Sequence, residues 1–254
     1  MPQFEEYRHK GAVFQVSIPM EWDEFNDHIE FNGIKFSKMA NLIGFFEIFA
    51  RMDYTFGGLN DCIFIDVGAN VADSTLYAAS LENVKYVYAY EPFPTSFNMA
   101  LKNISMNPEL QNKISIYPYG WFNKNGIVSL DEIIDVNASA VNTVLTEYSP
   151  AMKPDKFQKV KIELKRASDI LKTIINNHPD NPIILKMDIE GAEYDCIKEL
   201  EKSDLINKVD MVFIEWHKKG AKPITDILGN NGFIFFEEKL GSDVGFIRGI
   251  RYKG

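Results

Sequence analysis

Several features that would settle a protein's class at a glance are missing from this 254-residue chain. Cysteine occurs twice, as Cys62 and Cys196, in separate apolar segments with no C-x-x-C pair. That excludes a disulfide framework and a thiolate metal centre, and it favours reduced core thiols in a cytoplasmic protein. No block of Lys or Arg exists, and 27 basic residues stand against 36 acidic ones for a net charge of −9. A phosphate-tracking surface is therefore absent, and nucleic acid is disfavoured as a substrate. The longest apolar run, Leu42 to Ala50, is too short to span a bilayer and contains Glu47, so membrane insertion is not expected. Met1 leads into Pro2, Glu5 and Glu6 instead of a basic stretch and an apolar core, so no secretory leader is expected. Asn103-Ile104-Ser105 and Asn137-Ala138-Ser139 then read as chance glycosylation patterns.

What is present is a large apolar fraction, 46%, arranged in an alternating pattern. Short apolar runs fall at 62–67, 85–90, 113–118, 182–187, 209–216, 232–237 and 244–250. Helical patterns lie near 73–81, 95–105, 167–177, 191–202 and 221–230. This alternation predicts an α/β, Rossmann-like domain with a mostly parallel sheet and helices on both faces. The last two runs are joined by 237–243, with Gly241 inside, and predict a C-terminal antiparallel hairpin. Residues 1–60 read as a helical or irregular cap packed on this domain. Leu42, Phe45, Phe46 and Phe49 at helical spacing place a helix around 37–52, on the sheet edge and over the ligand cleft. The main domain then covers 61–254. One connection, about 119–166, is too long for the alternation and carries strand-like pieces at Gly126–Leu130 and Lys159–Leu164. Such an insertion after a parallel strand is expected to supply part of a substrate lid.

Four strand ends carry the chemistry. The first is Phe64-Ile65-Asp66-Val67-Gly68-Ala69-Asn70, followed by a helical stretch from Ser74. A dinucleotide fingerprint needs three glycines around a pyrophosphate, and here Asn70 and Ala72 stand where glycines would help. The Asp66 carboxylate would repel a phosphate and attract an ammonium or sulfonium. The second is Tyr90-Glu91-Pro92, with Glu91 placed 25 residues after Asp66, where an α/β site puts an acid on ribose hydroxyls. The third is Leu185-Lys186-Met187-Asp188-Ile189-Glu190-Gly191-Ala192-Glu193. So many charges at one strand end are costly to bury unless paired. Glu190 and Glu193 also suit the first turn of the next helix. The fourth is Ile214-Glu215-Trp216-His217, and His217 is the one histidine of four at a predicted sheet end.

Together these segments resemble the FkbM family of class I S-adenosylmethionine-dependent methyltransferases, over about residues 60–250. Asn98 and Asn103 add to the match, and the K-x-D-x-E-G-x-E block from Lys186 to Glu193 is its most specific part. The chain departs from the family at Ala72, where glycine is usual. The resemblance implies a seven-stranded sheet, S-adenosylmethionine as cofactor and methylation of a hydroxyl on a small-molecule acceptor. That acceptor would be a sugar or nucleotide-activated sugar for a surface polysaccharide, or a natural product. Asp66, Gly68, Asn70, Ser74, Glu91 and Pro92 are then the expected cofactor residues. His217 is the first choice of base because imidazole titrates near neutrality, with Asp188 second. Lys186 would hold a carboxylate or a developing alkoxide, Glu215 completes the catalytic group, and Glu190 and Glu193 support it. The acids and His217 also suit a divalent metal, whose ligands the sequence leaves open. Competing readings are methylation of nitrogen or of a lipid-linked glycan, a nicotinamide-dependent oxidoreductase, and a catalytically silent cofactor-binding subunit. The oligomeric state is not legible.

Overall fold

Every residue of Cys62-Ile63-Phe64-Ile65-Asp66-Val67 is buried, as a strand covered on both faces must be. This strand, β1 (Cys62–Val67), is an interior strand of a seven-stranded sheet. The others are β2 (Val84–Tyr90), β3 (Ile114–Tyr117), β4 (Ile183–Met187), β5 (Met211–His217), β6 (Phe233–Lys239) and β7 (Val244–Arg251). Their spatial order is β6-β7-β5-β4-β1-β2-β3. Pairing is parallel from β5 through β4, β1 and β2 to β3, and β7 runs antiparallel to both β5 and β6. The predicted fold class holds, including the closing hairpin. The computed structural model describes residues 4–9, 12–17, 22–25, 27–37, 48–49, 51, 53–134, 142 and 157–252.

Alternation along β1 divides the core. Ile63, Ile65 and Val67 face α3 (Ala167–Asn177), α4 (Glu193–Lys202) and α5 (Lys222–Asn230), packing with Leu171, Ile197, Leu200 and Leu228. Cys62 and Phe64 face the other way, onto Ala78 and Ala79 of α1 (Asp73–Ser80). The helix α2 (Pro94–Ser105) starts on a proline at its first position, where the missing N–H costs nothing. The chain builds outward from β1 to β3 and then crosses back to lay β4 on the other side of β1. The carboxyl ends of β1 and β4 therefore flank the switch point where open α/β sheets bind ligands.

Two regions lie outside this sheet. Gly120–Phe122, Gly126–Ile133 and Phe157–Arg166 form a separate three-stranded sheet with Phe157–Arg166 in the middle. Both strand-like pieces read in the insertion fall within it; 135–141 and 143–156, also part of the insertion expected to supply a lid, lie outside the described residues.

The N-terminal segment departs from the helical or irregular chain expected of it. Phe4–His9 pairs with Ala12–Ser17, and Trp22–Glu24, His28–Phe31 and Ile34–Ser37 form an antiparallel sheet. Asn32 and Gly33 both take positive φ, 48° and 81°, which is the two-residue hairpin turn that Asn-Gly favours. Ile29, Phe31, Ile34 and Phe36 are buried at period two against Val71, Leu76, Ala100 and Ile104. The helix expected around 37–52 falls almost wholly outside the described residues.

Buried asparagines tie this hairpin to the main domain. The Asn103 side chain accepts the Ser37 N–H at 2.9 Å and donates to the Val71 carbonyl at 2.8 Å. Asn107 likewise accepts the Lys35 N–H and donates to the Lys35 carbonyl, each at 2.8 Å. Asn103→Ala orphans two buried backbone groups and is expected to cost about 2–4 kcal/mol in urea unfolding. A loss within about 0.5 kcal/mol, the range of ordinary surface substitutions, would contradict this role.

Candidate functional site

Asp66 and Lys186 occupy directly paired positions on β1 and β4. The Lys186 ammonium lies 2.9 Å from Asp66 Oδ1 and donates to the Gly68 carbonyl at 2.6 Å. Asp66 Oδ2 accepts the hydroxyls of Ser74 at 2.7 Å and Thr75 at 2.6 Å. Burial pulls the Lys186 ammonium toward neutrality, but Asp66, Asp188 and Asp73 more than offset it and raise its pKa. Asp66, Ser74 and Lys186 thus form an internal clamp and do not line the ligand cavity. This differs from the cofactor contact expected of Asp66 and Ser74, while Lys186 holds a carboxylate, one of the two roles expected of it. A strand pattern shows where a charge sits along its own strand and is silent on its cross-strand neighbour.

The clamp presses two loops together. Gly68 has φ 86°, and a Cβ built on it would stand 1.9 Å from the Asp188 carbonyl oxygen. Asp188 N–H donates to the Val67 carbonyl, and the N–H groups of Gly68 and Ala69 both donate to the Tyr90 carbonyl, all at 3.0 Å. Ala72 takes the left-handed conformation, φ 68°, which explains the glycine usual there in the family it resembles.

A cavity opens at this junction. Gly68 and Asn70 contribute one wall, Tyr90, Glu91, Pro92 and Phe93 a second, and Asp188, Ile189 and Glu190 a third. Val67, Gly120, Trp121 and Asn142 complete it. Glu91 Oε2 accepts the Asn70 N–H and Oε1 the Phe93 N–H, each at 2.8 Å. Burial pushes the Glu91 carboxyl up to about 8 against the pull of those two hydrogen bonds. The Trp121 indole N–H is buried and has no hydrogen-bond partner among the described residues. Its ring stands edge-on to Tyr90, centroids 5.3 Å apart. Tyr90, Phe93, Trp121 and Asn142 were not anticipated as site residues. Gly120, Trp121 and Asn142 come from the insertion, whose excess length was their one signal.

The acids of β4 and β5 meet beside this cavity. Glu193, the first residue of α4, accepts the His217 backbone N–H at 2.7 Å through Oε1, which also lies 3.1 Å from His217 Nδ1. Its Oε2 accepts the Gly191 N–H at 2.8 Å. The Tyr194 hydroxyl donates to the His217 carbonyl at 2.9 Å, fixing the end of β5. His217 Nε2 faces Glu215 Oε1 at 3.5 Å and Glu190 Oε1 at 3.6 Å. Burial disfavours the imidazolium, yet Glu190, Glu193 and Glu215 override it and raise the His217 pKa well above its ordinary value. Burial, with Glu215 beside it, lifts the Asp188 carboxyl to about 7. Of the residues expected to be catalytic, Asp188 lines the cavity; Glu215 and His217 stand behind it.

A cavity at the switch point of a mostly parallel sheet, with an acid at the end of β2, defines a Rossmann-like domain. The comparisons with known proteins narrow this. A match to the Methyltransferase FkbM domain covers residues 66–235. The chain is 27% identical over 209 residues to methyltransferase sdnD of Sordaria araneosa, covering 74% of this chain and 80% of that protein. It is 26% identical over 166 residues to methyltransferase 1 of Beauveria bassiana, covering 59% and 64%. The crystal structure of methyltransferase FkbM from Methylobacillus flagellatus shares the fold at a TM-score of 0.50 and 15% identity, over 76% of this chain and 45% of that one. The chain belongs to the FkbM methyltransferase family. Its class of chemistry is methyl transfer, which sets aside the oxidoreductase reading. Among the described residues no helix is long and apolar enough to cross a membrane.

Lys186→Met leaves Asp66 as a buried anion without its countercharge. It is expected to cost about 3–5 kcal/mol in denaturant unfolding. Adding Asp66→Asn to it should recover more than half of that loss. Equal stability of the single and double variants would remove the clamp from the account.

Proposed function

We propose that the protein is an S-adenosylmethionine-dependent O-methyltransferase acting on a hydroxyl of a small molecule, a sugar or nucleotide-activated sugar. The observation that carries this reading is that Glu91 and the Gly68 turn open on the same cavity as Asp188 and Glu190. The cavity fits the cofactor's chemistry. Glu91 keeps lone pairs for hydroxyls beyond its two backbone bonds, Tyr90, Phe93 and Trp121 offer apolar walls, and the buried Trp121 indole N–H has no acceptor among the described residues. Gly68, Asn70, Glu91 and Pro92 would hold the cofactor, which supplies an electrophilic methyl group when bound.

The chain's own task is to orient the acceptor and take up its proton. Asp188 is assigned that proton, ahead of His217. Its carboxylate borders the cavity, whereas the His217 ring is buried behind it with Nδ1 beside Glu193. Glu190, which also borders the cavity, supplies a further acceptor for the several hydroxyls of a sugar. The same acids would attract an amine, so N-methylation is the second reading. In this account residues 1–60 cap a catalytic domain of 61–254, and the insertion shapes the acceptor site through Trp121 and Asn142. Cys62 and Cys196 are free and buried, which supports a reducing, cytoplasmic location.

Screening nucleotide-activated sugars with labelled S-adenosylmethionine, followed by mass analysis of the methylated position, tests the acceptor class. Glu91→Ala should weaken cofactor binding at least tenfold. Asp188→Asn should lower turnover by about 10²–10⁴, with cofactor affinity within a few-fold of the parent. Turnover of Asp188→Asn at the parent level would overturn the proton assignment. Methylated nitrogen as the product would favour the second reading.

A further inference from the structure

We infer that Asp188, Glu190 and His217 form a binding site for one divalent first-row cation, with Glu193 orienting the imidazole behind it. One donor atom from each of the three residues lies within 4.8 Å of the other two. Ligand atoms about 2.0–2.2 Å from a shared ion stand roughly 3–4 Å apart, so closure needs a shift of about an ångström in half-buried side chains.

The second observation is the imidazole itself. His217 is 2% exposed, and its Nε2 has no hydrogen-bond partner among the described residues, although it points between Glu190 and Glu215. The other nitrogen is engaged: Nδ1 lies 3.1 Å from Glu193 Oε1, and Glu193 is itself fixed by the N–H groups of His217 and Gly191. A carboxylate that accepts one ring N–H turns the lone pair of the other nitrogen outward, the arrangement found behind most metal-bound histidines. Here that lone pair and the carboxylate oxygens of Glu190 and Glu215 would converge on one cation.

Charge leads to the same place. Asp188, Glu190, Glu193 and Glu215 surround one imidazole, while the ammonium of Lys186 is held by Asp66 and the Gly68 carbonyl. A divalent cation placed here would be attracted by all of these carboxylates. One imidazole nitrogen with two carboxylates suits Mn²⁺, Fe²⁺ or Zn²⁺ better than Ca²⁺ or Mg²⁺, which prefer oxygen alone. Because Asp188 and Glu190 border the cavity, the ion would face a bound acceptor and acidify a hydroxyl placed against it. That role rests on the methyl-transfer reading; the binding of the ion does not. A monodentate Asp188 keeps its second oxygen for the hydroxyl proton.

The test is direct binding by the full chain after dialysis against chelator. Mn²⁺ is titrated and free ion read by electron paramagnetic resonance, with Zn²⁺ as competitor. One site per chain is expected, with displacement by Zn²⁺ and a rise in Tm on saturation. Glu190→Gln and His217→Ala should each weaken binding at least tenfold, while the surface control Asp226→Asn leaves it unchanged. Should His217→Ala fail to fold, the half-buried Glu190→Gln carries the test. Absence of stoichiometric binding of either ion, or unchanged affinity in Glu190→Gln, overturns the site and leaves a protonated His217 as the countercharge. Calorimetric titration of the metal-free protein with S-adenosylmethionine separates the two proposals. Cofactor binding without ion binding removes this inference alone, and ion binding without cofactor binding removes the functional reading alone.

Discussion

The contact between Lys186 and Asp66 governs the rest of the site. Two oppositely charged side chains stand side by side on β4 and β1, the strands between which the chain reverses direction in the sheet. Neither could be buried alone. Paired, they let the ammonium reach over to the Gly68 carbonyl and the carboxylate anchor the start of α1 through Ser74 and Thr75. Two strand ends and one helix start are fixed by a single ion pair. The absence of a side chain at Gly68 then lets the β4 loop close onto the β1 loop, bringing Asp188 to the cavity wall.

This arrangement sorts the acids by task. Asp66 is structural and sealed. Glu91, one strand further out, has its oxygens set by the N–H groups of Asn70 and Phe93 and faces the cavity. Glu193 is also sealed, and it works through the backbone and ring of His217. Asp188 and Glu190 are left at the junction of the interior and the ligand.

Most of the main domain was legible in the sequence because its signals are local. The strand and helix runs from Cys62 to the C terminus follow apolar periodicity, and the structure reproduces them to within a residue or two. The hairpin about Asn32-Gly33 was missed, because scattered aromatics in residues 1–60 masked its period-two pattern. The roles within the site were less accessible. Asp66 and Ser74 look like ligand contacts when each segment is read alone; the register of β1 against β4 pairs Asp66 with Lys186, and the Ser74 hydroxyl turns onto the same carboxylate. Trp121 and Asn142 enter the cavity from an insertion whose path no periodicity encodes. His217 was singled out for its pKa, yet its position behind Asp188 depends on Glu193, 24 residues away.

The central claim is that the switch-point cavity is the methyl-donor site, built by the Gly68 turn and Glu91. A crystal structure of the protein with S-adenosylhomocysteine tests it most directly. The account predicts ribose hydroxyls within hydrogen-bond distance of the Glu91 carboxylate, the amino-acid end at the Gly68–Asn70 turn, and the sulfur on the side of Asp188. A nucleoside bound elsewhere, or seated here without touching Glu91, would contradict it.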